Sequence, residues 1–348
     1  MNRWNQITPP LLQWFSQNAR RMPWRDDPTP YHVWISEIML QQTRVSAVIP
    51  YYERFLQELP TVESLALCDD EKLMKLWEGL GYYSRARNLK KAALVIMERY
   101  GGVFPSEYDS VRSLPGIGDY TAGAILSIAF GKPEPAVDGN VLRVWSRIMG
   151  DSSDIMAEKT RKTCRELLRD AMPEGKTSEY TQALMELGAT VCLPNGAPLC
   201  EQCPVSCHCV ALSESLIDQL PVKTKAKPRR IENRTVWFFI RNGKVALRQR
   251  PKKGLLSGMW EFPNELSETD VSFFGIEGKE NGGLCNAKHV FSHIEWHMDS
   301  KVIFTHSSSL PPGWQWASVE DLQSKYALPS AFREFLLPLL LQLGQEKS

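Results

Sequence analysis

Two acidic residues stand in settings that would give them different proton affinities. Glu37 lies in Val33-Trp34-Ile35-Ser36-Glu37-Ile38-Met39-Leu40-Gln41-Gln42-Thr43, a helical stretch apolar on most sides. Burial there disfavours the anion, so Glu37 is expected to hold a proton near neutral pH and to deliver it to a leaving group. Asp138-Gly139-Asn140 precedes the helical run Val141 to Ile148, which puts the Asp138 carboxylate at a helix N-terminus and predicts that it stays ionised. A carboxylic acid beside a carboxylate is the pair that glycosidic bond cleavage uses, one donating a proton and one stabilising a cationic sugar. Singly, each has a plainer explanation: a structural ion pair for a buried Glu, a helix cap for an Asp.

A second chemical signal is sulfur. The chain has eight cysteines, and its first residues, MNRWNQITPP, lack the layout of an export signal. A reducing compartment is expected, where clustered thiols bind metal more often than they form disulfides. Cys192, Cys200, Cys203 and Cys209 are spaced C-x7-C-x2-C-x5-C. Zinc and an iron–sulfur cubane both accept four thiolates; a single C-x2-C knuckle with lone outer thiols leans towards iron–sulfur. Cys207 is a spare thiol inside the cluster, whereas Cys68, Cys164 and Cys285 are isolated and expected to pack as small apolar groups.

A third signal is a turn. Leu114-Pro115-Gly116-Ile117-Gly118 separates two helical patterns, the second running from Thr121 to Phe130 with Asp119 or Tyr120 opening it. Glycines at alternate positions let backbone amides approach a ligand, and the next helix offers its free N–H groups to one phosphate.

The elements that must carry these residues fall into two kinds. A chain of 348 residues suggests two or three domains. From residue 8 to about 190 apolar residues recur at helical spacing, and a short helix is expected over Ala211 to Leu220. Pro221 to Arg230 reads as a linker. Beyond it Val236 to Ile240 and Val245 to Gln249 flank an Asn-Gly turn, a hairpin signal that marks an α/β second half. Phe335 to Leu343 is too short to cross a membrane and reads as a core-facing helix. Residues 1–220 hold 27 acids against 23 bases, and residues 221–348 hold 18 bases against 13 acids. Twelve of the bases lie between Lys223 and Lys253 beside one acid, Glu232, a candidate footprint for a phosphate backbone or simply a solvated linker. Arg85, Arg87, Lys90 and Lys91 form a candidate basic patch in the first half. His289, His293 and His297 sit four apart, but the strand-like residues around them argue against a helical zinc site.

Together these segments resemble the endonuclease III and MutY superfamily, and most closely its MutY-type adenine glycosylases. The likeness is carried by Pro23-Trp24-Arg25, Ser36 to Thr43, Trp77-Glu78-Gly79-Leu80-Gly81-Tyr82-Tyr83, Leu114 to Gly118, Val137 to Asn140 and the cysteine loop with its Cys203-Pro204 step. The loop departs from that family by one extra residue in its first interval. The resemblance implies an all-α helix-hairpin-helix glycosylase domain over residues 1–220, with the hairpin at about 112–131 and a [4Fe-4S] loop at 192–209. It further implies a linker at 221–230 and a Nudix-like α/β domain over 231–348. By the same likeness Glu37 protonates adenine and Asp138 stabilises the sugar, positioned by Tyr120 and Asn140. Gln42 wedges into the duplex, and Thr43, Trp24, Tyr82, Arg85, Gly116 and Gly118 contact DNA. Lyase relatives carry a lysine where this chain has Tyr120, which implies hydrolysis without strand cleavage.

Gly254 to Pro263 marks the Nudix-like domain, whose glutamate-rich hydrolase helix has no counterpart in Asn264 to Gly278. Phe291, Ser292 and His293 match the family's reader of 8-oxoguanine. The expected partner is duplex DNA with adenine opposite 8-oxoguanine or guanine, met by a monomer in the cytoplasm or on a nucleoid, with no membrane. Two alternatives stay in view: an endonuclease III-like lyase, and a lesion-binding protein without catalysis.

Overall fold

The structure, a computed structural model, describes residues 3–194, 196–225, 228–269 and 272–345. They fall into two units: 1–67 with 87–225, and 68–86 with 226–348. The second unit thus takes in residues 68–86, which helical spacing alone groups with the N-terminal half. Two residues of the expected linker, 226 and 227, and two of the stretch from Asn264 to Gly278, 270 and 271, lie outside the described residues.

All regular elements described in the first unit are helical. The chain order is α1 (Arg3–Asn18), α2 (Pro23–Asp26), α3 (Pro30–Leu40), α4 (Val45–Glu58), α5 (Val62–Leu67), α6 (Asp70–Leu76), α7 (Ser84–Tyr100), α8 (Tyr108–Arg112), α9 (Asp119–Ala124), α10 (Gly139–Met149), α11 (Glu158–Asp170), α12 (Thr177–Thr190) and α13 (Val210–Ser213); α6 and the first turn of α7 belong to the second unit. Trp4, Ile7 and Leu11 of α1 pack against Val144, Trp145 and Ile148 of α10 and Leu184 and Leu187 of α12. That core packs α10 and α12 together against α1. Two local readings need correction. The helix expected over Thr121 to Phe130 changes at residue 125 into a π-helical turn, Ile125–Ala129, where the Ser127 hydroxyl donates back to the Gly123 carbonyl at 2.7 Å and competes with the regular ladder. The helix expected over Ala211 to Leu220 stops at Ser213, because Ser215 adopts a left-handed φ of 57° that a helix cannot continue.

The second unit is built on a mixed sheet. Its strands are β1 (Arg230–Arg241), β2 (Lys244–Gln249), β3 (Trp260–Glu261), β4 (Asn264–Leu266), β5 (Lys279–Glu280), β6 (Ala287–Val290), β7 (Ile294–Phe304) and β8 (Trp314–Ala317). The central order is β3-β2-β1-β7-β5, with β4 on β1, β6 on β7 and β8 on β2. Asn242 and Gly243 both take positive φ, 50° and 67°, so the Asn-Gly turn joins β1 to β2 as expected. β1 extends further back than Val236 because it pairs in parallel with β7 along its whole length, from Arg230↔Ile294 to Ile240↔Phe304. One face of the sheet is covered by α14 (Val319–Ser324) and α15 (Arg333–Gln345), which bury Phe335, Leu339 and Leu343 against Phe238 and Phe262. Residues 68–86 are tied to the same helical end of this unit: Tyr83 Oη donates to the Leu328 carbonyl at 3.2 Å, and the Leu328 amide donates to Glu78 Oε1 at 2.8 Å. No helix among the described residues is long and apolar enough to cross a membrane.

Candidate active site

The first unit holds a cavity of about 480 Å³, within the range of ligand pockets. Trp24 and Arg25 of α2, Glu37 of α3 with Gln42 and Thr43 just beyond it, Tyr120 of α9, and Asp138 and Asn140 at the head of α10 all line it. The helix-forming runs explain the convergence. α3 is apolar enough to be buried on nearly every side, so Glu37 points into protein and is only 5% exposed. Tyr120 Oη donates to Glu37 Oε2 at 2.5 Å. Burial pushes the Glu37 carboxyl up to about 7, against the pull of the Tyr120 hydroxyl and of Arg25; the neighbouring Asp138 charge adds to the rise.

Asp138 is the N-cap of α10. Its Oδ1 accepts from the Val141 amide at 2.7 Å and its Oδ2 from Asn140 Nδ2 at 2.8 Å. Against the expected opposed shifts of the two carboxyls, enclosure raises the proton affinity of Asp138 as well, and the Val141 and Asn140 donors only partly offset that. Both carboxyls therefore shift in the same direction. What separates them is the donor set: Asp138 accepts from the Val141 amide and Asn140 Nδ2, whereas Glu37 accepts from the Tyr120 hydroxyl.

Gln42 sits at the cavity mouth, exposed and in a left-handed conformation of φ 58°, strain of the kind that collects at binding sites. Trp24 is buried, its ring edge-on to Tyr52 at 5.4 Å. Thr43 caps the turn through a 3.3 Å bond to the Gln41 carbonyl. In the hairpin, Gly116 is required twice over: its φ is 80°, and a Cβ there would lie 2.7 Å from the Asn88 Cβ. Gly118 is different. With φ −95° it caps α9, and a Cβ would meet nothing within 4 Å.

Four residues around the cavity gave no sequence signal of their own. Gln182, Met185, Glu186 and Ala189 share one face of α12, a spacing that reads as core. Glu186, only 1% exposed, carries Arg20 and Arg25: Oε1 accepts from Arg20 Nε at 2.5 Å and Oε2 from Arg25 Nη2 at 2.8 Å.

The cysteine loop follows α12. Cys192, Cys200, Cys203 and Cys209 line one small apolar cavity with Val144, Ile148 and Val205, whereas Cys207 is exposed and does not reach it. Among the described residues no three His, Cys, Asp or Glu groups already stand at metal-holding geometry. The donor set nonetheless suits a thiolate-bound group, because Arg147 Nη1 donates to Cys192 Sγ at 3.3 Å and to the Leu193 carbonyl at 2.9 Å, placing a buried cation where thiolate charge would gather. Arg143 joins the loop to the acid site: it donates to the Cys192 carbonyl at 2.8 Å and to Asn140 Oδ1 at 2.9 Å.

The remaining expected contact residues lie in the second unit. Phe291, Ser292 and His293 form the turn between β6 and β7, with Ser292 and His293 exposed and Phe291 packed on Trp296 at 4.9 Å. Tyr82, exposed with φ 47°, brings its hydroxyl within 3.2 Å of Ser292 Oγ. Arg85 is corrected: it is buried, donates to the Leu80 and Gly81 carbonyls at 3.0 and 3.2 Å, and lies over the Tyr82 ring. Its cation fixes the turn that carries Tyr82 and does not form an exposed patch. Within the basic run Arg234 pairs with Glu232, and Arg248 and Arg250 both pair with the buried Glu261, while Lys223, Lys225, Arg229, Arg230, Lys244, Lys252 and Lys253 are exposed among the described residues. His289 and His297 occupy adjacent cross-strand rows, opposite Trp296 and Lys288 respectively, so they face opposite sides of the sheet.

Residues 35–170 match the HhH-GPD superfamily of base excision DNA repair proteins, and residues 235–337 match a NUDIX domain. A human adenine DNA glycosylase is 33% identical over 93% of this chain and 73% of its own length. The chain belongs to the adenine DNA glycosylase family. A relative of that name from Buchnera aphidicola is 34% identical over 84% of this chain and 85% of its own. Among solved structures, a thermostable thymine-DNA glycosylase is 29% identical with a TM-score of 0.57, covering 61% of this chain and 97% of that one. An endonuclease III–DNA complex shares the fold at 24% identity, covering 61% of this chain and 98% of that one with a TM-score of 0.51. As expected for this glycosylase family, the chain joins a helical HhH-GPD core to a strand-rich Nudix-like part. Glu37, Tyr120, Asp138 and Asn140 all fall inside the matched HhH-GPD segment.

Proposed function

We propose that this glycosylase hydrolyses the N-glycosidic bond of adenine in duplex DNA where adenine faces 8-oxoguanine or guanine. The observation that carries the reading is a protonated-range Glu37 and a donor-braced Asp138 facing one cavity. The adenine is turned out of the stack into that cavity, at a cost of a few kcal/mol, with Gln42 at its mouth filling the gap. Glu37 gives its proton to the base at N7, and the C1′–N9 bond breaks with its electron pair going to the base. The Asp138 carboxylate, steadied by Asn140 and Val141, stabilises the cationic sugar. Water then adds at C1′ and loses a proton to a carboxylate, restoring the site. Arginines but no lysine line the described cavity, which supports hydrolysis without a Schiff base.

Cys192, Cys200, Cys203 and Cys209 would hold a [4Fe-4S] cluster, supplying four metal–sulfur bonds that fasten the loop after α12 and a centre able to exchange one electron. Arg147 and Arg143 would balance its thiolate charge and tie the loop to Asn140. We assign Tyr82, Ser292, His293 and Phe291 to the base opposite adenine, and the Gly116–Gly118 hairpin to a backbone phosphate. The test is single-turnover adenine release from duplexes with 8-oxoguanine, guanine or thymine opposite adenine. Fast release opposite 8-oxoguanine that Glu37→Gln abolishes is expected; no release from any duplex overturns the reading.

A further inference from the structure

The acid's proton is held in a cavity that also contains two arginines. A bare guanidinium near a carboxylic acid favours its ionisation, and Arg25 does pull on Glu37. The groups that act on Glu37 from the surrounding elements are Tyr120 on α9, Asp138 at the head of α10, and Arg25 on α2; Arg20 and Glu186 line the same cavity. Glu186 is the counterweight. Its carboxylate, 1% exposed on α12, accepts from Arg20 at the backbone amide (3.3 Å), Nε (2.5 Å) and Nη2 (3.2 Å), and from Arg25 Nη2 at 2.8 Å. Burial alone would raise its proton affinity, but the two guanidiniums reverse that and keep it an anion. Arg25 is held at its other nitrogen as well, Nη1 donating to the Arg20 carbonyl at 2.8 Å, with its guanidinium 5.3 Å over the Phe15 ring.

We propose that Glu186 is a positioning residue for base excision: it locks Arg25 at the cavity wall and neutralises it there, so that Arg25 can face the base without stripping the proton from Glu37. The inference deepens the adenine-excision reading and rests on it. A helix that contributes no reacting group then sets the pH range of the reaction. The sign follows from charge. Removing the Glu186 anion leaves Arg25 uncompensated, Glu37 ionises more easily, and the limb on which activity falls with rising pH moves to lower pH.

The test is the pH profile of single-turnover adenine release by the full-length protein, wild type against Glu186→Gln, which keeps the volume and one acceptor. The falling limb of E186Q is expected about one pH unit below that of the wild type, with rates converging at the acid end. Arg25→Met/Glu186→Gln should return the limb to the wild-type position or above it. A rate lowered equally at every pH, or an unmoved limb, overturns the proposal. If E186Q does not fold, Arg25→Met alone decides: its limb must move to higher pH. Failure of the parent reading is separately visible, because the wild type itself would then release no adenine.

Discussion

Glu37 carries a stability cost that can be read apart from its chemistry. Its carboxyl sits near 7 in the fold against 4.5 for an ordinary Glu. A raised folded-state value means that the folded chain binds the proton more tightly. The associated stability is complete below about 4.5 and is lost as pH rises through 7. Glu37→Gln, which is neutral throughout, should therefore match the wild type in thermal stability near pH 4.5 and exceed it by about 2–3 kcal/mol at pH 8. A difference that does not change with pH would mean that desolvation of this carboxyl is not what raises it. The burial of Glu37 was legible in the sequence, since the residues around it are apolar. Asp138 was only half legible: its cap role follows from Asp-Gly-Asn before a helix, but its raised proton affinity comes from enclosure by α3, α9 and α12, which no local pattern records. Glu186 was silent because a buried charge on a helix face looks like any other core position until its arginine partners arrive from a distant turn.

At the level of elements, the two hairpin glycines make different demands. Gly116→Ala meets both a forbidden φ and the Asn88 side chain, so it should destabilise the first unit by about 1–3 kcal/mol. Gly118→Ala meets neither and should cost under about 1 kcal/mol, yet it places a methyl on the open side of the turn and should weaken duplex binding. Denaturant midpoints and duplex dissociation constants for the two variants separate these outcomes; equal destabilisation by both would contradict the geometry. The hairpin, the Asn-Gly turn and the cysteine loop could all be read from a few adjacent letters because their physics is local. The full length of β1 could not, since its parallel partner β7 decides it.

For the whole molecule, the surprise is the company kept by residues 68–86. Lys75 donates to the Leu322 and Tyr326 carbonyls, and Glu78 and Tyr83 engage Leu328. A chain ended after Lys225 loses all of these partners, and limited proteolysis should cut it rapidly between residues 68 and 86 while sparing the full-length protein there; equal protection in both would show that the segment stands without them. Helical periodicity groups these residues with the N-terminal half, as does the HhH-GPD match over residues 35–170, while their hydrogen-bond partners on the Leu322–Leu328 stretch are visible only through long-range pairing. The arrangement bears on synthesis. A ribosome releases residues 68–86 more than two hundred residues before the Leu322–Leu328 stretch they need, so during translation Lys75, Glu78 and Tyr83 wait without these partners. The nascent chain is then exposed to misassembly for the whole time the Nudix-like part is being made, and this protein should depend on chaperones, and suffer from slow codons late in its message, more than a chain whose domains close in order.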